Sequence, residues 1–109
     1  MDDKITTLNA NDFEKAIADG KTIILDVRTA EEYAGGHIAN AINIDVNCAG
    51  FLYEADEKLL RDKRIAVYCH GGVRSRKSAV LLADNGYIVV NLSGGITEWK
   101  NAGKEIVVE

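Results

Sequence analysis

The chain has 109 residues, with 13 Lys and Arg against 17 Asp and Glu and a formal net charge of −4. That length predicts one domain, 1–109, at about 100–200 residues per domain, burying roughly 65% of its unfolded surface without staples. An apolar share of 47% excludes a disordered or fibrous chain, the acidic balance speaks against a nucleic-acid partner, and no apolar run reaches the ~20 residues of a membrane span.

The start, MDDKITTLNA, has no apolar segment of the secretory kind, so a cytoplasmic location is expected, with a removed export leader left open. Ile5–Leu8 reads as a weak strand. Asn11 and Glu14 have capping-box spacing, Phe13, Ala16 and Ile17 make one face, and Gly20 ends the helix. Ile23–Val27 (IILDV) is a strand, and Thr29 with Glu32 opens a second helix. Ile42–Ile44 is a weak strand, and residues 54–62 form a third helix. Ile65–Tyr68 (IAVY) is a strand. Ser75 opens a helix whose face is Ala79, Leu82 and Ala83 and which stops at Gly86. Ile88–Val90 is the last strand, and Ile96, Trp99 and Gly103 suit a final short helix, with Trp99 in the core. The Gly-Gly pairs at 35–36, 71–72 and 94–95 sit in dissimilar contexts and read as punctuation between elements. Apolar runs that do not alternate belong to strands covered on both faces. The alternating order predicts an α/β fold with a mostly parallel five-stranded sheet and helices on both faces. Function in such sheets lies beyond the C-terminal strand ends.

Chemistry concentrates at one such end. The strand IAVY runs into Cys69-His70-Gly71-Gly72-Val73-Arg74-Ser75, and a helix follows. A helix N-terminus offers unpaired N–H groups and about half a positive charge. Gly71 and Gly72 allow positive φ, so the loop can curl its amides into an anion nest. Arg74, Arg76 and Lys77 add positive field. These features favour thiolate over thiol and predict a nucleophilic Cys69 activated by amides. The competing reading is an inert buried thiol; the strand–Cys–Gly-Gly–Arg–helix context favours the reactive one.

Cys69–Arg74 followed by Ser75 resembles the C-x4-R active-site loop of the rhodanese (sulfurtransferase) domain family. LDVRTAEEYAGGHIANAINI (Leu25–Ile44) resembles the upstream signature of that family, and NGYIVVNLSGGITEWKNAG (Asn85–Gly103) its downstream L-x-G-G-x-x-x-W signature. The resemblance, strongest over 23–103, implies a rhodanese-like three-layer sandwich. It also implies transfer of a sulfane sulfur through a Cys69 persulfide, with no metal and no cofactor. The expected partners are a small anionic sulfur donor and a protein or small-molecule thiol acceptor, with cyanide as the assay acceptor. No nucleic acid, no membrane and a monomeric chain are expected. Related phosphatases carry a loop one residue longer, C-x5-R, suited to a tetrahedral oxyanion. The shorter ring here suits a single sulfur, and phosphate or arsenate chemistry is the enzymatic alternative. Mercaptopyruvate-type relatives tend to carry C-G-[ST]-G-x-[ST], from which CHGGVR departs, so thiosulfate or a persulfide is the expected donor.

By this resemblance, amides from His70 to Ser75 (His70, Gly71, Gly72, Val73, Arg74 and Ser75) form the substrate-binding loop. Arg74 either touches the donor or clamps the loop to a carboxylate such as Glu32, the second being favoured. Ser75 caps the helix, donates to the sulfur, or both. His70 faces the donor as imidazolium or faces solvent. Asp26, Arg28 and Glu32 are supporting residues, with Asp26 and Arg28 expected in a buried ion-pair network in preference to the site wall. His37 is expected to be a structural loop histidine. Ala39 stands where the family usually has proline. Cys48 has no motif that makes it a partner of Cys69. Two other classes stay in view: a non-catalytic rhodanese-like binding module, and a protein-thiol redox partner using Cys48.

Overall fold

The computed structural model describes residues 4–108. Ten elements alternate: β1 (Ile5–Leu8), α1 (Ala10–Ile17), β2 (Ile23–Asp26), α2 (Ala30–Ala34), β3 (Ile42–Asn43), α3 (Phe51–Lys58), β4 (Ile65–Tyr68), α4 (Val73–Asp84), β5 (Val89–Leu92) and α5 (Gly95–Asn101). The strands form one sheet in the order β1-β5-β4-β2-β3, and every pairing is parallel. The chain builds outward from β1 to β3, then returns to lay β4 and β5 between β2 and β1. β4 is therefore central, and its C-terminal end lies at the reversal of strand order, where open parallel sheets bind ligands.

The unbroken apolar strands are explained by two cores. Successive side chains in a strand alternate faces. Leu25, Val27, Ile65, Val67, Cys69 and Val89 point to one face, where Phe51 and Ala55 of α3 and Ala79 and Leu82 of α4 cover them. Ile24, Ala66, Tyr68, Val90 and Leu92 point to the other, against Ala10 and Phe13 of α1 and Ile96 and Trp99 of α5. Trp99 is core, as expected; its ring meets Phe13 edge-on at 6.2 Å, and its Nε1 donates to the Glu105 carbonyl at 2.8 Å. The fold is thus the α/β three-layer arrangement read from the sequence.

Element ends differ from the sequence reading. The cap of α1 is Asn9, whose side chain accepts from the Asp12 amide at 2.8 Å, so the expected Asn11–Glu14 box does not form. Glu14 pairs instead with Lys104 at 2.7 Å. Helix α3 spans Phe51–Lys58, earlier than 54–62, because Phe51 and Ala55 fill the core beneath it. Strand β5 runs to Leu92, beyond Val90, because parallel pairing with β1 carries Asn91 and Leu92 along. The Thr29–Glu32 capping box on α2 forms as read.

Candidate active site

Cys69 follows β4 directly. The strand alternation that sends Val67 toward α4 sends Cys69 the same way, so the thiol sits at the top of one core, only 1% exposed. Gly72 then turns at φ +107°, and α4 begins at Val73. The Gly72 amide donates to Cys69 Sγ at 3.0 Å. Ser75 Oγ lies 3.5 Å from the same sulfur. Burial pushes the thiol pKa up, but the Ser75 hydroxyl and the amides of Ser75, Gly72 and Gly71 outweigh it and hold the thiol below its ordinary value. No acidic residue stands in the first turn of α4 to oppose this.

Ser75 is not the cap. It occupies the third position of α4, and Gly72 is the cap residue. The reason is geometric: the left-handed Gly72 starts the helix early, leaving the Ser75 hydroxyl directed back to Sγ and to the Gly72 carbonyl, 3.3 Å away. Ser75 is fully buried and Ser78 Oγ donates to its carbonyl at 2.8 Å. Of the two loop glycines, only Gly72 has positive φ; a side chain on Gly71 would meet open space.

Arg74 grips Glu32 with both terminal nitrogens, at 2.8 and 3.0 Å. Glu32 also accepts from the Thr29 amide and hydroxyl at the start of α2. The loop is thereby tied to the segment after β2. His70 and Val73 are exposed at the rim, and His70 Nε2 lies 3.5 Å from Thr97 Oγ1.

Asp26 and Arg28 are buried together. The guanidinium meets the carboxylate at 2.7–3.1 Å and its Nη2 also donates to the Gly36 carbonyl at 2.7 Å. Asp26 points to the opposite sheet face from Cys69, beside Tyr68, whose hydroxyl accepts from the Ile38 amide at 3.0 Å. Burial, then the Asp26 charge, pushes the Tyr68 pKa upward. The pair is thus a buried network and does not border the thiol. His37 Nδ1 faces the Tyr33 carbonyl at 2.8 Å and its ring stacks on Tyr33 at 3.7 Å, a structural setting. Cys48 is an exposed free thiol in the loop before α3. Among the described residues, no group of three or more His, Cys, Asp or Glu side chains is placed to hold a metal. Among the described residues, no helix is long and apolar enough to cross a membrane. A cavity of about 370 Å³ opens at the other end of the sheet, where Arg64 faces Asp19 at 3.6 Å.

One contribution escaped the sequence reading. The turn between β5 and α5 lies directly against the Cys69 loop, with Gly95 under the carbonyls of Cys69 and His70. Gly94–Gly95 read as punctuation; the signal was present in the L-x-G-G pattern.

The Rhodanese-like domain family matches residues 9–102. This chain belongs to that family. A rhodanese-related protein from Thermoplasma volcanium has a similar solved structure, with TM-score 0.83, 36% identity, and coverage of 95% of this chain and 99% of that one. A rhodanese-like domain protein from Staphylococcus aureus gives TM-score 0.80 and 29% identity, covering 95% and 98%. Among curated proteins, a tRNA uridine(34) hydroxylase of Onion yellows phytoplasma is 37% identical over 101 residues, 89% of this chain and 33% of the relative. The chain therefore spans about a third of the length of the curated relatives it matches.

Proposed function

We propose that this rhodanese-like chain transfers sulfane sulfur through a persulfide on Cys69. The Cys69 thiolate attacks the outer sulfur of thiosulfate or a persulfide donor. The donor's S–S bond breaks, and sulfite or the donor thiolate leaves with the electron pair. A thiolate or cyanide then attacks the terminal sulfur, and Cys69 leaves as thiolate. The observation that carries this reading is the Gly72 amide 3.0 Å from Sγ, with the Ser75 hydroxyl 3.5 Å from the same atom. Donors preorganised around one small anion stabilise both the thiolate and a terminal persulfide sulfur. Arg74, held by Glu32, adds charge behind the loop without having to touch the donor.

The test is intact-protein mass spectrometry after thiosulfate. A gain of one sulfur atom at Cys69, absent in Cys69→Ser, together with thiosulfate:cyanide turnover lost in that variant, is the expected result. Activity surviving Cys69→Ser refutes it. No sulfur gain in the wild type favours the binding module, and aryl phosphate turnover lost with Cys69 favours phosphate chemistry.

A second reading takes its support from the curated relatives, whose name describes hydroxylation of a tRNA uridine. On that reading this chain acts as the rhodanese-like part of a tRNA-modifying system. The net charge of −4 weighs against direct tRNA binding. A gel-shift titration with tRNA at low salt decides: a retarded complex supports this reading, and none up to micromolar protein removes it.

A further inference from the structure

Two backbone segments touch with no side chain between them. A Cβ on Gly72 would strike the carbonyl of Ser93, and one on Gly95 would lie 2.6 Å from the Cys69 carbonyl oxygen. The Ile96 amide donates to the Cys69 carbonyl at 2.8 Å and the Thr97 amide to the His70 carbonyl at 3.1 Å. These bonds fix the direction of the His70 and Gly71 amides, the two that lead into the Gly72 amide. In a trans peptide the carbonyl and the following N–H point in opposite directions. Holding the His70 carbonyl toward α5 therefore aims the Gly71 N–H away from α5, and the next amide in the turn, that of Gly72, donates to Sγ at 3.0 Å.

The turn itself is held by the Ser93 amide on the Leu8 carbonyl at 2.9 Å and by one carboxylate. Glu98 Oε1 accepts from the Gly94 amide at 2.8 Å and from Ser93 Oγ at 2.9 Å. Its Oε2 accepts from the amide of Ala10, the first residue of α1, at 2.8 Å. Two segments distant in sequence, the start of α1 and the turn into α5, thus meet at a side chain that bonds neither the thiol nor the loop around it.

We propose that Glu98 is a positioning residue: by anchoring the Ser93–Thr97 turn, it holds the Cys69 and His70 carbonyls and so aims the loop amides at the sulfur. The inference rests on Cys69 as the nucleophile. It requires no particular sulfur donor.

The test uses the full chain with Cys48→Ser, so that Cys69 is the remaining thiol. Iodoacetamide alkylation is followed by intact mass across pH, alongside thermal unfolding. Glu98→Ala is expected to move the alkylation midpoint toward the free-thiol value of about 8.5 and to slow alkylation at pH 7 by about threefold or more. Glu98→Gln, which keeps one acceptor oxygen, is expected to restore part of the loss. A folded Glu98→Ala with unchanged midpoint and rate overturns the proposal. If Glu98→Ala does not fold, amide exchange in the Cys48→Ser protein decides. Ile96 and Thr97 N–H protected as strongly as those of β4 uphold the clamp, and exchange at the rate of an unstructured peptide overturns it. Alkylation needs no sulfur donor, so a protein inert to thiosulfate still gives an answer.

Discussion

Arg74 and Glu32 form a two-pronged ion pair, at 2.8 and 3.0 Å, between the first turn of α4 and the cap of α2. Planar guanidinium and carboxylate match in this geometry, which a lysine does not reproduce. The pair joins the Cys69–Arg74 loop to the segment that follows β2, so loop position and α2 capping depend on one carboxylate.

That carboxylate titrates low. The Arg74 hydrogen bonds, against some burial and with help from Thr29, bring Glu32 down to about 2. A group whose folded pKa is depressed adds stability above its unfolded value, here 4.5, and loses it as pH falls toward the folded value. Glu32→Gln keeps the capping hydrogen bond and removes the charge. It is expected to cost about 1 kcal/mol at pH 7, the upper range for a partly exposed pair. The gap to wild type shrinks between pH 4.5 and 2. Urea unfolding at several pH values checks both statements.

Ser75→Ala removes the hydroxyl 3.5 Å from the thiol and leaves the amides in place. At that length the bond is worth about 1 kcal/mol, roughly a factor of five in thiolate stabilisation. The alkylation midpoint of Cys69 should rise, and its rate at pH 7 should fall by about that factor. An unchanged midpoint would show that the amides alone set the acidity.

The adjacent glycines should behave oppositely. Gly72→Ala meets φ +107° and the Ser93 carbonyl, with nowhere for the methyl to go. The expected cost is about 2 kcal/mol or more, with loss of Cys69 reactivity. Gly71→Ala meets open space, and stability should change by about 0.5 kcal/mol or less. Parallel denaturation curves separate the two.

Asp26→Ala strands the Arg28 guanidinium, only 5% exposed, without its counter-charge. Breaking a buried pair from one side costs about 3–5 kcal/mol. Because Asp26 faces away from Cys69, alkylation of the thiol at a temperature where the variant stays folded should change less than about twofold. A large loss of reactivity in a folded variant would place the network in the site after all.

The apolar runs of β2, β4 and β5 were legible as strands because both faces of each are buried, which leaves no polar alternation to obscure them. The Thr29–Glu32 box was legible because both halves of that motif are local. The cap of α1 was not. Asn9 and Asn11 are equally good caps by type, and the choice between them depends on Glu98, 88 residues from Ala10, receiving the Ala10 amide. The start of α4 was misread for a related reason. Ser75 is a good cap residue, but Gly72 in the left-handed conformation, pressed on Ser93, begins the helix first.

By itself the sequence determined the α/β alternation, the placement of a cysteine at the end of a buried strand, and the short loop that follows. Those are consequences of local periodicity and residue type. Only the tertiary structure decided where the loop amides aim and which glycine carries the strain. Each of these depends on contacts between segments far apart in the chain, and the direction of a peptide plane is set by what holds its carbonyl.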